Sequence, residues 1–418
     1  MTITPSGDSG EEKIAVRRDP SEIAEEIDAS VQATDKAITD DPTDLTLDRV
    51  KQEEVHSHVA KTPDRPYKAP LSPRTKKRQL IVMLSLLGLV ILGAAAMVLL
   101  PQLQKEEEPS TQQEVASKET EKVTPKTVPS PITGVDVSEQ AAARPVTAVM
   151  IENSPSARPQ SGISGADLVF EAIAEGGITR YVALFQSASP AYIGPIRSAR
   201  PYYVQIAKSF DAAFVHAGGS PDGLAKITEL NVKDMSAFEN NGTYVRDDSR
   251  EAPHNLYSSM EKLLNRQTEL GFSSSTFGQW QHKNETPQTP TAANIDFTMS
   301  SPTFNPSFSY NAASNNYTRL NGGVQDVDAN GNVPIQPRVV IALITDRSQQ
   351  GQYSVYRLTG SGEARIFQDG IVSTASWTKD NDMTQFSFKD KNGLPFVFNK
   401  GQVWVTVVDS ASDVTYTP

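Results

Sequence analysis

Leu80 to Leu100 reads LIVMLSLLGLVILGAAAMVLL, a run of twenty-one residues without a charge. As a helix it spans about 30 Å, the hydrocarbon thickness of a bilayer. A buried core helix would carry a polar stripe, and this run has none. A cleavable signal sits closer to the first residue and has a shorter apolar stretch, although Ala94-Ala95-Ala96 keeps a cleavage site open. The reading is an uncleaved single-pass transmembrane helix. Lys61, Arg65, Lys68, Arg74, Lys76, Lys77 and Arg78 precede it, with Asp64 as the one acid, and Glu106-Glu107-Glu108 follow. The positive-inside rule then places the N-terminus in the cytoplasm and residues 101–418 outside.

The flanking composition divides the rest. Residues 1–60 carry 15 acidic and 6 basic side chains and no aromatic residue, so 1–79 is expected to be a disordered acidic cytoplasmic tail with a basic juxtamembrane end. Asp19-Pro20-Ser21-Glu22 marks one local helix start in it, read either as a fleeting helix or as a docking helix for a cytosolic partner. Residues 101–143 form a Pro/Ser/Thr/Glu-rich linker. Strand-like runs, aromatics and glycine turns concentrate in 144–418. The fold class expected is α+β, a two-part ectodomain. A mixed α/β unit over 144–290 precedes a mainly antiparallel β unit over 291–418, where RVVIALIT, YSVYRL, TQFSF, PFVF and QVWVTVV read as strands. The chain has no cysteine, which excludes thiol catalysis, Cys-zinc sites, iron–sulfur clusters and disulfides. Its net charge of −11 argues against nucleic acid as a partner.

Chemistry-bearing residues gather in the first unit. In DLVFEAIAEGGITRYVALFQS, Gly176-Gly177 fits a two-residue hairpin turn, which pairs Ile173 with Arg180 and Glu171 with Val182. Arg180 would then lie diagonal to Glu171 and Glu175, either as an ion-pair network or as a charged cleft wall. A glutamate acid–base pair is the weaker reading, since the two lie about 13 Å apart along a strand and glycosidase carboxylates stand about 5–9.5 Å apart. Arg197 and Arg200 lie three apart before a helix-like YYVQIAKSF. His216 ends a strand before Gly218-Gly219-Ser220, where Ser220 is a helix N-cap and the loop is an intrinsic anion nest. His254 lies in an Arg250-to-Tyr257 stretch. No zinc spacing, nucleophile elbow, phosphate loop or dinucleotide fingerprint occurs, so no metal and no cofactor is expected.

Taken together, RPVTAVMIEN, ARPQSGISGAD, AEGGITRYVALFQ, IGPIRSARPY, FVHAGGSP and APHNLY resemble the YerB-like envelope proteins, domain of unknown function family 3048. Later stretches at Tyr317-Thr318-Arg319, Trp377-Thr378-Lys379 and Asn399-Lys400-Gly401-Gln402-Val403-Trp404 resemble that family more loosely. The resemblance implies an extracytoplasmic two-part protein and no secure reaction. Carried over, its polar positions are Asn153, Arg158, Gln160, Asp167, Glu171, Glu175, Arg180, Arg197, Arg200, His216, Arg250, His254 and Asn255. Many such proteins are lipoproteins on a modified cysteine; this chain has a spanning helix in its place.

Two functions stay open at this point. One is a binding or regulatory module for an anionic cell-wall glycan, a lipid phosphate or a wall-synthesis protein, using Asn153, Arg158, Gln160, Asp167, Arg180, Arg197, Arg200, Gly218, Gly219, Ser220, Arg250 and Asn255. The other is a hydrolase or transferase on wall polymer, with Glu171, Glu175, His216 and His254 moving protons. Convergence of His216, His254, Arg197, Arg200 and Glu171 on one cleft would mark a site.

Overall fold

The computed structural model describes residues 126–418. The apolar run Leu80–Leu100, the acidic tail and most of the linker lie outside the described residues. Among the described residues no helix is long and apolar enough to cross a membrane.

The organising element is a ten-stranded sheet. Its strands, in chain order, are β1 Thr147–Glu152, β2 Leu168–Ile173, β3 Thr179–Phe185, β4 Ala213–His216, β5 Lys233–Ser236, β10 Val339–Ile344, β11 Gly360–Gln368, β12 Ile371–Lys379, β13 Ser387–Lys389 and β14 Val403–Val408. Between them lie β6 Asn294–Phe297, β7 Pro306–Asn311, β8 Asn316–Asn321 and β9 Val324–Gln325, which join β15 Val414–Thr417 in a five-stranded antiparallel sheet. Across the large sheet the order is β13-β12-β11-β10-β14-β2-β3-β1-β4-β5.

This overturns the α+β expectation. Strands make up 41% of the described residues and helices 15%, a mainly β fold. The second part is also no separate antiparallel unit. Its strand β14 pairs in parallel with β10 on one side and with β2 on the other, Val405 lying opposite both Ile341 and Phe170. The strands of both halves thus form one continuous sheet. The reason is visible in the sequence of the seam strands. LVFEAI and VWVTVV are buried along their whole length. A strand apolar on both faces must be covered on both faces, and it is stable only inside a wide sheet.

Three helices pack on that sheet. Pro201 opens α1, Pro201–Ser209, and packs Tyr202, Tyr203, Ile206 and Ala207 against one face. Ser220 caps α2, Pro221–Glu229, by accepting the Gly223 N–H. Ser259 likewise caps α3, Met260–Glu269, whose Met260 and Leu263 cover the opposite face together with Ile295, Phe308 and Tyr317 of the small sheet. At nine or ten residues each, these helices leave the fold's mass to the strands.

The β2–β3 hairpin differs from the two-residue expectation by one position. The Ala174 N–H donates to the Ile178 carbonyl and the Ile178 N–H to the Glu175 carbonyl, so Glu175-Gly176-Gly177 form the loop. Glu171 therefore faces Tyr181, and Arg180 faces Ala172. A slip of one residue sends neighbouring side chains to opposite faces. It separates Arg180 from Glu171 and places a polar cluster on each face of the sheet.

Candidate functional site

Strands β1, β2, β4, β5, β10 and β14 all run in one direction, so their carboxyl ends share one edge. From β1 the chain goes to β2 on one side, whereas α1 carries it from β3 to β4 on the other. In open sheets the carboxyl edge at such a reversal is the usual ligand position.

Glu152 ends β1 there, opposite Arg180 in the β1–β3 register. Arg180 Nη2 donates to Glu175 Oε1 at 2.5 Å and its Nη1 to the Ser198 carbonyl at 2.9 Å. Arg200 Nη2 meets Glu175 Oε2 at 2.7 Å, and its guanidinium lies over the Tyr353 ring at 4.9 Å. Arg197 Nε approaches Glu152 Oε1 at 3.2 Å. His254 Nδ1 lies 2.9 Å from the same oxygen, and Ser154 Oγ donates to it at 2.8 Å. Three guanidiniums thus face two carboxylates, one positive charge in excess before His254 is counted.

The cluster is partly open. The side chains of Arg197, His254 and Glu175 are 21%, 22% and 22% exposed, whereas Glu152 is 4% exposed. Burial alone would raise the Glu175 carboxyl, but Arg180 and Arg200 pull it down to about 2. Burial also works against the Glu152 charge, and the His254 hydrogen bond and Arg197 outweigh it and hold that carboxyl below its ordinary value. Burial lowers Arg197, with Glu152 opposing and the neighbouring Arg180 adding to the effect.

The opposite face holds a closed cluster. Glu171 and Arg319 are both fully buried and meet through Arg319 Nη2 at 2.9 Å from each carboxylate oxygen. Trp404 Nε1 donates to Glu171 at 3.0 Å, and Arg319 also pairs with Asp326 and lies 4.5 Å from the Trp404 ring centroid. Asn321 extends the network to Asn153 at 2.7 Å, and Asn153 to Thr179 at 2.6 Å. Glu171 therefore fastens the small sheet to the large one, across the sheet from the edge cluster.

The remaining candidates position loops. Gln160 Nε2 binds the Glu152 carbonyl and Asn153 Oδ1, both at 2.9 Å, and Arg158 holds the Asn153 and Thr303 carbonyls. Together they fix the loop that presents Ser154. Arg250 holds the Ala157 and Pro159 carbonyls, and Asn255 ties the Asp247 and Arg250 carbonyls, so the His254 loop is braced. Asp167 accepts the Gln186 and Ser187 N–H groups. His216 is buried with both ring nitrogens occupied, Nε2 by Asp234 and Nδ1 by the Gly218 carbonyl. At Gly218-Gly219-Ser220, the Ser220 N–H goes to the Ala199 carbonyl and the Gly223 N–H to Ser220 Oγ, two donors the anion-nest reading needed. Among the five residues expected to converge, Arg197, Arg200 and His254 join the edge cluster, while Glu171 and His216 have other partners. Among the described residues no group of three His, Cys, Asp or Glu side chains is arranged to hold a metal ion.

Sequence reading passed over Glu152, Ser154 and Tyr353. The signal for Glu152 was a carboxylate closing an otherwise apolar strand, TAVMIE, which must be paired once buried.

Comparison with known proteins completes the picture. Residues 132–273 match the family "Protein of unknown function (DUF3048) N-terminal domain", and 295–405 match its C-terminal domain. The chain belongs to the DUF3048 family. It is 32% identical over 301 residues to YerB of Bacillus subtilis (strain 168), named as a candidate lipoprotein, covering 69% of this chain and 89% of that one. It is also similar to a crystal structure of the Bacillus subtilis YerB protein, with a TM-score of 0.63 and 27% identity, over 70% of this chain and all of that one. The edge cluster, from Glu152 to His254, lies within the N-terminal domain match except for Tyr353.

Proposed function

We propose that this DUF3048 chain is an envelope-associated binding module that holds the anionic group of a wall-related polymer at its carboxyl-edge cluster. The observation that carries this reading is the surplus guanidinium. Glu175 is shared by Arg180 and Arg200, Glu152 is shared by Arg197 and His254, and Arg197 remains open to solvent. Guanidinium forks in that setting suit phosphate or carboxylate oxygens. The envelope location draws support from the relative's name as a candidate lipoprotein and from the apolar run Leu80–Leu100, which would anchor the chain with 101–418 outside. Proton-transfer catalysis is the less supported reading. Ser154 and Glu152 both approach the same His254 nitrogen, Nδ1, so Ser154 has no relay through the ring.

The test is sedimentation of the detergent-solubilised full chain with isolated anionic wall polymer, before and after the polymer's phosphate and carboxylate groups are removed. Binding to the intact polymer, its loss on stripping, and its loss in Arg197→Gln are expected. Equal binding to stripped polymer, or an Arg197→Gln chain that binds as well as the parent, contradicts the proposal.

A further inference from the structure

Buried polar atoms without partners are uncommon, and each calls for a ligand, a water or a functional reason. Three occur together in the edge cluster: Glu152 Oε2, Arg180 Nε and Arg197 Nε, the last lying 3.2 Å from Glu152 Oε1 as an ion pair but not aligned to donate a hydrogen bond to it. Two are donors and one is an acceptor. A bare anion can answer the two donors. It cannot answer Glu152 Oε2, which needs a hydrogen-bond donor. Glu152 is 4% exposed, and its second oxygen is itself buried from bulk water.

The closed cluster also has orphans, Arg319 Nε and Asn321 Oδ1. Arg319 is fully buried, however, and nothing as large as a ligand group reaches it. The edge cluster differs because its orphan atoms, though buried themselves, belong to or pair with side chains that are each about a fifth exposed, Arg197, His254 and Glu175.

From this donor–acceptor count we infer that the ligand presents a neutral hydroxyl beside its anionic group, as a sugar phosphate or an acidic glycan does. The inference rests on the anion-binding reading above and narrows it. The hydroxyl donates to Glu152 Oε2, while the anion sits between Arg197 and Arg180. An ammonium donor, as in a free amino acid, fits less well. Glu152 is already answered by Arg197, His254 and Ser154, and a further cation would enter a site that already has positive charge in excess. Charge therefore favours the hydroxyl.

The experiment is calorimetric titration of the detergent-solubilised full chain at about pH 8 with three probes: glucose 1-phosphate, methyl phosphate, which as a dianion carries the same charge and no O–H donor, and glycine. The expected order is glucose 1-phosphate at least tenfold tighter than methyl phosphate, with glycine weakest. Arg197→Gln weakens both phosphates alike. Glu152→Gln removes the carboxylate acceptor and with it the preference for the sugar phosphate; the wild-type comparison stands even where that variant folds poorly. Equal affinity for glucose 1-phosphate and methyl phosphate, both lost in Arg197→Gln, overturns the hydroxyl inference and leaves the anion reading in place. Glycine binding tighter than either phosphate overturns the neutral-donor assignment. No binding of either phosphate overturns both readings.

Discussion

The two polar clusters sit on opposite faces of the same strand pair, and both are built from arginine and glutamate. They differ in what surrounds them. Around Glu171 and Arg319 the charges are buried and paired: Arg319 meets Glu171, Asp326 and the Trp404 ring, and the Trp404 indole N–H donates to Glu171. Around Glu152 and Glu175 the guanidiniums outnumber the carboxylates and the rim reaches solvent. The first arrangement costs desolvation and returns register, since it ties β8 of the small sheet to β2 of the large one. The second keeps unspent hydrogen-bonding capacity at a sheet edge where ligands usually bind. Composition alone does not separate a structural ion pair from a recognition site. Surplus charge and access do.

The comparison predicts its own largest effect on the closed side. Arg319→Met leaves Glu171 and Asp326 buried without a cation, and urea denaturation should show a loss of about 3–5 kcal/mol. The double variant with Glu171→Leu should recover part of that loss. An Arg319→Met chain as stable as the parent would mean that this cluster does not hold the two sheets together.

Acid titration separates the clusters next. The Glu175 carboxyl is depressed to about 2 from an ordinary 4.5. Its contribution is complete above pH 4.5 and is lost as pH falls from there toward 2, by about 3 kcal/mol in the limit. Glu175→Gln should flatten the stability curve in that window and lower stability at neutral pH. A curve unchanged by the substitution contradicts the pairing with Arg180 and Arg200.

The smallest expected stability effect is at Arg197, the most exposed of the three arginines. Arg197→Gln should cost clearly less than Arg319→Met in thermal unfolding, because Glu152 keeps His254, Ser154 and the charge of the facing Arg180. It should nevertheless lose anion binding at least tenfold. Severe destabilisation without a binding defect would turn the edge cluster into a second structural pair.

How much of this was legible in the sequence follows from which signals were local. Helix starts were readable because Pro201 and the Ser220-Pro221 step act within one turn. The strands near 339–344 and 403–408 were readable because they are continuously apolar. The nine-residue hairpin β11–β12 was not, since Ser, Thr, Glu and Arg alternate along it; Asp369-Gly370, both at positive φ, was the turn signal available. The β2–β3 register was not fixed by alternation, because both strands are buried on both faces. That single residue of slip decided which glutamate belonged to which cluster. The partnership of Glu171 with Arg319, 148 positions apart, carried no local signal at all.

The most direct test reads the arginines themselves. In the full chain, the Nε–H resonances of Arg197, Arg180 and Arg319 can be assigned by substitution and followed while inorganic phosphate is added. Saturable shifts of the Arg197 and Arg180 signals, with Arg319 unmoved, are expected if the open cluster is the anion site. No movement at Arg197, or equal movement at Arg319, would contradict the distinction between the two faces of the sheet.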